Sequence, residues 1–372
     1  MIKKLGIPKE VKKDEGRVSL IPQHITQFTG LADIFVETEA GLGSGFADKD
    51  YEAAGAKIVS TAQELYEASE IICKVKEPQT EEFEMLNSTH VIFGYLHLAS
   101  NLSLTKTLLD KKLTGIATEM IMDGKEYPLL IPMSKIAGNL AVQKGMQFLE
   151  YSSQGKGILL ASISGEKNSK VTVVGCGEVG RSSIHKSIQI GASVTAIDLN
   201  EDILEDLKNK YGENITTLLS GTDEAKSAIR SADLVIGAVL LPGRKPPIVI
   251  TEEDINHMEK GTVVVDVAID QGGCVETSKP TTHGDPTYIV DDVVHYCVAN
   301  MPGGVPRTST FALNQATLPY LVKLANKGYQ KALSEDKNFL SGLNVHKGDV
   351  TYKAVADVFG HNYVAPEDAI KN

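Results

Sequence analysis

Residues 170–198 read KVTVVGCGEVGRSSIHKSIQIGASVTAID, and this stretch decides the fold. An apolar, β-branched run at 171–174 predicts a strand that ends at a glycine-rich turn, residues 175–180. Helical periodicity follows the turn, and a second apolar run at 194–197 predicts the next strand. A strand, a helix and a second strand in this order form a βαβ unit, which is typical of a parallel, doubly wound sheet.

The glycines of this turn suit a dinucleotide. Gly175 permits the tight turn, Gly177 lets the backbone approach a pyrophosphate, and Gly180 allows the helix to pack closely on the sheet. The N-terminus of the helix offers N–H groups and the positive end of its dipole to the phosphates. Asp198 ends the second strand, where a carboxylate accepts hydrogen bonds from a ribose diol and repels a 2′-phosphate. The GxGxxG pattern alone also occurs in ordinary glycine loops, but the complete unit with its terminal acid predicts a site for NAD rather than NADP.

The composition limits the class of protein. The chain has 372 residues, enough for two domains, and its formal net charge of −11 disfavours nucleic acid or an anionic membrane as the main partner. The four cysteines are far apart and include no CxxC pair, so no metal site is predicted. Cys73, Cys176 and Cys297 are expected to be small buried residues. The N-terminus lacks the apolar region of a signal peptide, and no apolar run is long enough to span a membrane, so a cytoplasmic protein is predicted.

Short apolar runs alternate with helical segments over the first third of the chain, which predicts a second parallel, doubly wound sheet. The predicted strands lie near 3–8, 33–38, 57–59, 70–76, 90–96 and 113–118, and the predicted helices near 20–28, 49–54, 61–68, 80–86 and 102–111. Ligands bind beyond the carboxyl ends of the strands in such sheets. That edge would carry the basic residues Arg17, Lys74, Lys76 and His97.

Together these basic residues predict an anion site with a titratable group. An Arg binds a carboxylate bidentately, a Lys polarises a carbonyl group, and a His exchanges protons near neutral pH. Each also has a structural alternative: Arg17 as a solvated loop charge, Lys76 as the partner of Glu77, and His97 as a satisfied strand-end residue. A second glycine-rich segment, 41–45, is not followed by a strand with a terminal acid at the right distance, so a flexible loop is predicted there.

The remainder of the chain predicts the rest of the nucleotide domain. A long amphipathic helix with Ser134 as its N-cap would carry the chain into this domain. Further elements are strands at 233–240, 261–270 and 287–300, a helix at about 314–333 that returns to the first domain, and a polar tail at 364–372. The predicted domains are a substrate and catalytic domain, residues 1–133 plus 305–372, and a Rossmann NAD-binding domain, residues 134–304.

Several strand ends of the nucleotide domain are expected to face the cofactor. Ser220 would lie near the adenine, and the backbone at Val239 and Leu240 would approach the dinucleotide. Asp270 ends the most hydrophobic strand of this half, where the nicotinamide is expected. An Asx-turn that starts a loop is the alternative for Asp270.

Seven segments, in order along the chain, resemble a known family. They are GIPKEVKKDEGRVSLIP at 6–22, KVKEP at 74–78, LHLA at 96–99, PLLIPMSKIAGNLAVQ at 128–143, DLVIGAVLLPG at 233–243, VVDVAIDQGGC at 264–274 and YCVANMPGGVPRTST at 296–310. On these residues the chain resembles, nearly from end to end, the alanine dehydrogenases, NAD-dependent enzymes related to the nucleotide-binding subunit of proton-translocating transhydrogenase.

The resemblance implies roles for individual residues. It implies that Arg17 and Lys76 hold the substrate carboxylate and carbonyl. It also implies that His97 and Asp270 form the catalytic pair. The residues that would surround the NAD, besides Gly175, Gly177 and Gly180 of the turn, are Ser134, Glu178, Val179, Asp198, Ser220, Val239, Leu240, Val267, Ala268, Ile269, Asp270, Val298, Ala299, Asn300 and Met301.

The resemblance further implies the reaction, which is the reversible oxidative deamination of L-alanine to pyruvate and ammonium with NAD, and a homohexameric assembly. Two alternatives stay open. One is an opine-forming or lysine-type amino acid dehydrogenase of the same build, and the other is a transhydrogenase-like nucleotide-binding subunit without amino acid chemistry. The presence of Arg17, Lys76, His97 and Asp270 together favours the alanine dehydrogenase.

Overall fold

Two mostly parallel sheets form the framework of the protein. The computed structural model describes residues 3–161, 169–239 and 245–371. Contacts divide the chain into two units, which we call the first unit, Met1–Met133 with Val305–Asn372, and the second unit, Ser134–Gly304.

The chain forms fifteen strands and fourteen α-helices within these ranges. The strands are β1 (Lys3–Ile7), β2 (Ala32–Glu37), β3 (Lys57–Val59), β4 (Ile71–Cys73), β5 (Val91–Gly94), β6 (Thr114–Ala117), β7 (Lys170–Val174), β8 (Ser193–Asp198), β9 (Ile215–Leu219), β10 (Leu234–Gly237), β11 (Val263–Asp266), β12 (Thr287–Val290), β13 (Val293–Tyr296), β14 (Leu343–His346) and β15 (Asp349–Val350). The helices are α1 (Pro22–Ile25), α2 (Asp48–Ala53), α3 (Ala62–Ala68), α4 (Leu102–Asp110), α5 (Ile131–Phe148), α6 (Glu178–Gln189), α7 (Glu201–Tyr211), α8 (Asp223–Arg230), α9 (Glu252–Asn256), α10 (Pro306–Lys327), α11 (Tyr329–Ser334), α12 (Lys337–Leu340), α13 (Lys353–Phe359) and α14 (Pro366–Ala369).

The first unit has an eight-stranded sheet in the order β15-β14-β6-β5-β4-β1-β2-β3. Strands β1 to β6 are parallel, and β14 and β15 extend the sheet by antiparallel pairing. Ile71 and Cys73 belong to one hydrophobic cluster, whereas Ile72 between them belongs to another. Because successive side chains of a strand point to opposite faces, this sheet is buried on both faces, as a doubly wound fold requires.

The second unit has a seven-stranded sheet in the order β12-β13-β11-β10-β7-β8-β9, in which only β12 is antiparallel to its neighbour. In both sheets the first strand of the unit lies beside the fourth, β1 beside β4 and β7 beside β10. This arrangement creates a topological switch point, beside which doubly wound folds bind their ligands. The predicted fold class, two doubly wound α/β domains, is confirmed.

Several predicted helix boundaries are wrong. Helix α5 begins at Ile131, so Ser134 lies within the helix and is not its N-cap. Pro132 is compatible with the earlier start, because the first turn needs no intrahelical N–H. The last long helix, predicted from about residue 314, begins at Pro306 for the same reason and ends before Gly328, which has a φ of 73°.

The strand predicted at 261–270 ends earlier, at Asp266. The Asp266 carboxylate accepts a hydrogen bond from the N–H of Ala268 at 3.0 Å, and the chain turns there into a 3-10 helix, Val267–Gln271. Asp270 therefore lies in a short helix beyond the strand and not at the strand end.

Three other predictions are corrected by tertiary contacts. The segment 287–300 contains a hairpin of β12 and β13 that turns at Asp291 and Asp292, both with positive φ. The predicted polar tail forms α14 and buries Ala369 and Ile370. The predicted helix at 80–86 is a 3-10 helix, Thr80–Met85.

The glycine-rich segment 41–45 is packed, and the prediction of a flexible loop is wrong. Ser44 is fully buried, and its hydroxyl donates to the carbonyl oxygen of Gly16 at 2.8 Å and lies 2.7 Å from the Thr310 hydroxyl. A Cβ atom on Gly43 would lie 2.6 Å from Cα of Gly16. This segment therefore supports the loop after β1.

The sequence also predicted buried cysteines and the absence of an apolar run long enough to span a membrane. All four cysteines are buried and free, as expected for Cys73, Cys176 and Cys297. In the described ranges 3–161, 169–239 and 245–371, none of the helices is both long and apolar enough to cross a membrane.

Candidate active site

The glycine turn of the second unit has the geometry of a phosphate-binding turn. Gly175 has a φ of 93°, and a Cβ atom there would lie 2.8 Å from the carbonyl carbon of Ala238. A Cβ atom on Gly180 would lie 1.9 Å from the carbonyl oxygen of Gly175, so only glycine lets α6 approach the strand this closely. A Cβ atom on Gly177 would meet no atom within 4 Å, which leaves space beside the N-terminus of α6. Such space is what a pyrophosphate needs.

Asp198 connects the end of β8 to this turn. Its carboxylate accepts hydrogen bonds from the N–H of Cys176 at 2.6 Å and from the N–H of Asn200 at 2.9 Å. The carbonyl oxygen of Asp198 accepts from the N–H of Ser220, which directly follows β9. Each carboxylate oxygen has two acceptor positions, so Asp198 retains capacity for the hydroxyl groups of a ribose.

The other predicted cofactor residues of the second unit lie at helix starts or beyond the carboxyl ends of strands. Val239 follows β10, residues 267–270 follow β11, and residues 298–301 follow β13. Leu240 lies outside the described residues. Ser134 is in the N-terminal part of α5, exposed Glu178 begins α6, and Val179 behind it is buried.

Asp266, a residue not predicted from the sequence, binds both ends of the segment that carries Asp270. Asp266 is fully buried, and its carboxylate accepts from the N–H groups of Ala268, Cys274 and Val275 at 3.0 to 3.1 Å. Burial raises the pKa of Asp266, although these hydrogen bonds oppose the rise. Asp270 in turn accepts a hydrogen bond from the N–H of Asn300 at 2.9 Å.

Arg17 of the first unit lies in the loop between β1 and α1 and is only 2% exposed. Its guanidinium group donates from Nε and Nη2 to the two carboxylate oxygens of Glu15, at 2.7 and 2.5 Å. Nη1 lies 3.2 Å from Sδ of Met133. Burial disfavours the charged guanidinium, but the bonds to Glu15 outweigh it and raise the pKa of Arg17. The structure therefore excludes the alternative of a solvated loop charge.

The two lysines that follow β4 have different environments. Lys74 is fully buried, with Nζ 2.8 Å from Glu82 and 3.3 Å from Glu10, and the Tyr66 hydroxyl also donates to Glu82. Lys74 thus belongs to a buried ion cluster, and its predicted place in an anion site is not supported. Lys76 is 7% exposed.

Lys76 has two acidic neighbours, Glu10 and Glu77. Its N–H donates to the second oxygen of Glu10 at 3.4 Å. Burial tends to raise the pKa of Glu77, but the positive charges of Lys76 and Lys12 prevail and hold that pKa below its usual range. Glu77 is therefore one of the charged neighbours of Lys76, as the structural alternative from the sequence proposed.

His97 follows β5 in an unusual backbone conformation, with a φ of 47° and a side chain that is 38% exposed. Glu119, which follows the neighbouring strand β6, accepts a hydrogen bond from the N–H of His97 at 2.7 Å. A carboxylate oxygen of Glu119 also lies 3.7 Å from Nδ1 of the imidazole. The Tyr95 ring stacks on the imidazole with a centroid distance of 6.1 Å. A charge partner and a stacked ring thus hold an accessible histidine.

The order of the sheet brings Arg17, Lys76 and His97 to one edge, because β1, β4 and β5 are neighbours. Tyr95 lies at the same edge, with its ring stacked on the imidazole of His97 and its hydroxyl donating to the carbonyl oxygen of Leu129 at 2.6 Å. Burial raises the pKa of Tyr95, although the positive charge of Arg17 opposes the rise. The acids that hold these groups are Glu10, Glu15 and Glu119, and none of them was predicted from the sequence, although Glu10 and Glu15 stand in the same segment as Arg17.

These observations define the class of protein. One unit has a glycine-rich turn with the geometry of a phosphate-binding turn at the switch point of a Rossmann-type sheet, and the other has a basic, titratable edge on a sheet whose first five strands have the same order. This construction is typical of two-domain α/β enzymes that use a dinucleotide cofactor.

Comparison with known proteins identifies the family. The alanine dehydrogenase/PNT N-terminal domain matches residues 6–137, and the alanine dehydrogenase/PNT C-terminal domain matches residues 141–353. The chain is 50% identical over 363 residues to the alanine dehydrogenase of Halomonas elongata, covering 97% of this chain and 98% of that one. It is 48% identical over 370 residues to the alanine dehydrogenase of Bacillus subtilis, covering 99% and 98%. The chain therefore belongs to the alanine dehydrogenase family.

Solved structures agree with this assignment. A structure of an L-alanine dehydrogenase superposes with a TM-score of 0.92 at 45% identity, over 96% of this chain and 99% of that one. A transhydrogenase structure from Sinorhizobium meliloti has a TM-score of 0.81 at 24% identity, over 94% and 100%, and shows likeness of fold alone.

Proposed function

We propose that this chain catalyses the reversible, NAD-dependent oxidative deamination of L-alanine to pyruvate and ammonium. The observation that carries the proposal is the edge of the first unit, where Arg17, Lys76 and His97 follow three adjacent strands in a member of the alanine dehydrogenase family. A carboxylate-binding cation, a second cation and a titratable group are what an amino acid substrate requires.

The second unit is the proposed NAD-binding domain, and its residues fit that cofactor. Gly175, Gly177 and Gly180 would accommodate the pyrophosphate at the N-terminus of α6. Asp198 would hold the adenosine ribose and exclude a 2′-phosphate. The other residues of the proposed site are Ser134, Glu178, Val179, Ser220, Val239, Leu240, Val267, Ala268, Ile269, Asp270, Val298, Ala299, Asn300 and Met301. When bound, NAD supplies a hydride acceptor for C2 of the amino acid.

The first unit is the proposed substrate and catalytic domain. Arg17 binds the substrate carboxylate, because a guanidinium group pairs with a carboxylate in a fixed direction and so orients C2. Lys76 faces the carbonyl oxygen of pyruvate and stabilises negative charge that develops on this oxygen. Both cations are already largely desolvated, so little further water has to be removed when the substrate binds.

His97 and Asp270 are the proposed catalytic pair. His97 takes a proton from the water that adds to the imino carbon and returns it in the reverse direction. Its accessible imidazole, with Glu119 near Nδ1, suits this exchange. Asp270 holds the ammonia and water through its carboxylate, whose position is set by the N–H of Asn300.

The cellular location and assembly of the protein are also proposed. We infer a cytoplasmic homohexamer, on the strength of the resemblance to the alanine dehydrogenases. Size-exclusion chromatography with light scattering would test the assembly, and a mass of about one or two chains would contradict it.

The activity is tested by following NADH absorbance with the purified protein. One assay contains NAD and L-alanine at alkaline pH, and the other contains NADH, pyruvate and ammonium near neutral pH. Turnover in both directions that is absent with NADP and with L-lysine is the expected result. Turnover with L-lysine instead would indicate a lysine-type dehydrogenase. NAD binding measured by calorimetry without turnover of any amino acid would indicate a transhydrogenase-like subunit.

A further inference from the structure

We propose that Glu15 is a positioning residue for the substrate carboxylate, because it holds Arg17 by one edge of the guanidinium group and so fixes the direction in which the other edge faces. This inference rests on the proposed function, in which Arg17 binds the carboxylate of alanine or pyruvate. Glu15 itself is not required to touch the substrate.

Glu15 contacts Arg17 at three places. One carboxylate oxygen accepts from both the backbone N–H and Nε of Arg17, at 3.0 and 2.7 Å, and the other accepts from Nη2 at 2.5 Å. The backbone and the side chain of Arg17 are therefore held by the same carboxylate. A guanidinium group bound in this bidentate way cannot rotate about its own axis without breaking two charge-assisted hydrogen bonds.

The bonds to Glu15 fix where the rest of the guanidinium group lies. Glu15 binds the edge formed by Nε and Nη2, and Nη1, at the opposite corner, lies 3.2 Å from Sδ of Met133. A thioether sulfur is a weak acceptor, and a substrate carboxylate is a strong one. A substrate carboxylate would therefore be a stronger acceptor for Nη1 than the Met133 sulfur is.

Arg17 and Glu15 form a buried ion pair rather than a surface one. The side chains of Arg17 and Glu15 are 2% and 0% exposed. The loop that carries them is packed at Gly16, whose carbonyl oxygen accepts from Ser44 and whose Cα would lie 2.6 Å from a Cβ atom added to Gly43. A flexible surface pair would reorient freely, but this pair is held on both the backbone and the side-chain level.

The same geometry predicts what happens when the charge of Glu15 is removed. In Glu15→Gln, the amide oxygen can still accept from the backbone N–H and Nε of Arg17. The amide nitrogen, however, faces Nη2, so two donors meet where a charge-assisted bond existed. The guanidinium group then turns away from its former direction, and the substrate carboxylate loses its oriented partner.

A double-mutant cycle tests this inference. The four proteins are the wild type, Glu15→Gln, Arg17→Lys and the double variant, and the measured quantities are the KM values for pyruvate and for NADH and kcat. Glu15→Gln is expected to raise the KM for pyruvate at least about tenfold and to change kcat less than about threefold. In the Arg17→Lys background, the same substitution is expected to change that KM less than about twofold, because Glu15 acts through the guanidinium group. The KM for NADH stays unchanged throughout.

Two further variants keep the outcome decisive. If Glu15→Gln does not fold, Glu15→Asp replaces it in the cycle, because a carboxylate one methylene shorter keeps the charge but cannot reach both Nε and Nη2. Asp254→Asn is the matched control, since Asp254 is a buried carboxylate that accepts from Nε of Arg230 in the second unit at 2.8 Å. It is expected to lower Tm without changing the KM for pyruvate.

The outcomes separate the inference from the proposed function. An unchanged KM in Glu15→Gln, or an equal effect with and without Arg17, overturns the positioning role while leaving the activity in place. A wild-type protein that does not turn over alanine or pyruvate overturns both. A loss of the effect in the Arg17→Lys background supports the positioning role, since a purely structural effect of Glu15 would be independent of Arg17.

Discussion

The first five strands of each unit have the same order in the sheet, but the loops that follow the two first strands differ in chemistry. After β7, the chain turns within residues 175–177, and space is left beside the N-terminus of α6, because a Cβ atom on Gly177 would meet no atom within 4 Å. After β1, the chain runs from residue 8 to residue 21 before α1, and it offers the side chain of Arg17, held by Glu15. A switch point therefore supplies a place for a ligand, and the loop chemistry decides which ligand binds there.

The difference also determines which changes each unit tolerates. The glycine turn of the second unit keeps its close contacts only because glycine has no Cβ atom, so substitutions that add a side chain there should impair this unit most. The first unit depends on buried charges in contact, such as Lys74 with Glu10 and Glu82, so substitutions that remove charge should damage it most.

The largest expected effect lies in the first unit. Replacing His97 by Asn removes the proposed proton-transfer group and should lower kcat about 10³-fold, with a small change in the KM for pyruvate. Steady-state kinetics in both directions measures the effect. Turnover equal to that of the wild type would remove His97 from the mechanism and leave the first unit with a binding role only.

A pair of glycine substitutions tests the steric character of the second unit. Gly180→Ala places a Cβ atom 1.9 Å from a carbonyl oxygen and should lower the free energy of unfolding by about 2 kcal/mol. Gly177→Ala meets no atom within 4 Å, so Tm should stay unchanged while the KM for NAD rises about tenfold. Thermal unfolding and NAD titration measure the two effects. Equal losses of Tm would show that both glycines serve packing alone.

Buried histidines in both units predict a loss of stability in acid. Burial lowers the pKa of His90 and His346 in the first unit and of His295 in the second. The unfolded chain therefore binds more protons than the folded one, and the free energy of unfolding falls as the pH drops below about 6.5. His295→Gln should reduce the fall in the free energy of unfolding between about pH 7.5 and 5.5 by an amount on the order of 1 kcal/mol. Exposed His361→Gln is the control, and equal slopes in both variants would exclude His295 as a contributor.

The smallest expected effect concerns Glu178, an exposed acid at the start of α6. Its negative charge stabilises the helix N-terminus but opposes a pyrophosphate at the same place. Glu178→Ala should therefore lower the KM for NAD about twofold and lower the free energy of unfolding by less than about 1 kcal/mol. Glu178→Gln should give the same KM, and a rise in KM for either variant would show that the carboxylate helps to bind the cofactor.

The sequence by itself determined the features that depend on short-range geometry. The spacing of Gly175, Gly177 and Gly180 predicted a turn whose φ value and close contacts the structure displays, because a strand-to-helix turn is closed by residues only a few positions apart. The apolar runs predicted the parallel strands for a similar reason, since both faces of a doubly wound sheet are buried and leave a continuous signal. Family membership followed from the same local segments and is confirmed by full-length relatives.

Only the tertiary structure decided which charges are held and by what. Lys74 and Lys76 are two positions apart, yet Lys74 enters a buried ion cluster because Glu10 and Glu82 come from different parts of the chain. Glu119 meets His97 only because β5 and β6 are neighbours. Asp266 ends its strand because its carboxylate also accepts from Cys274 and Val275 further along the chain. Hydrogen bonds and ion pairs between distant residues leave no periodic signal in a sequence, and these contacts are the ones that place the candidate catalytic groups.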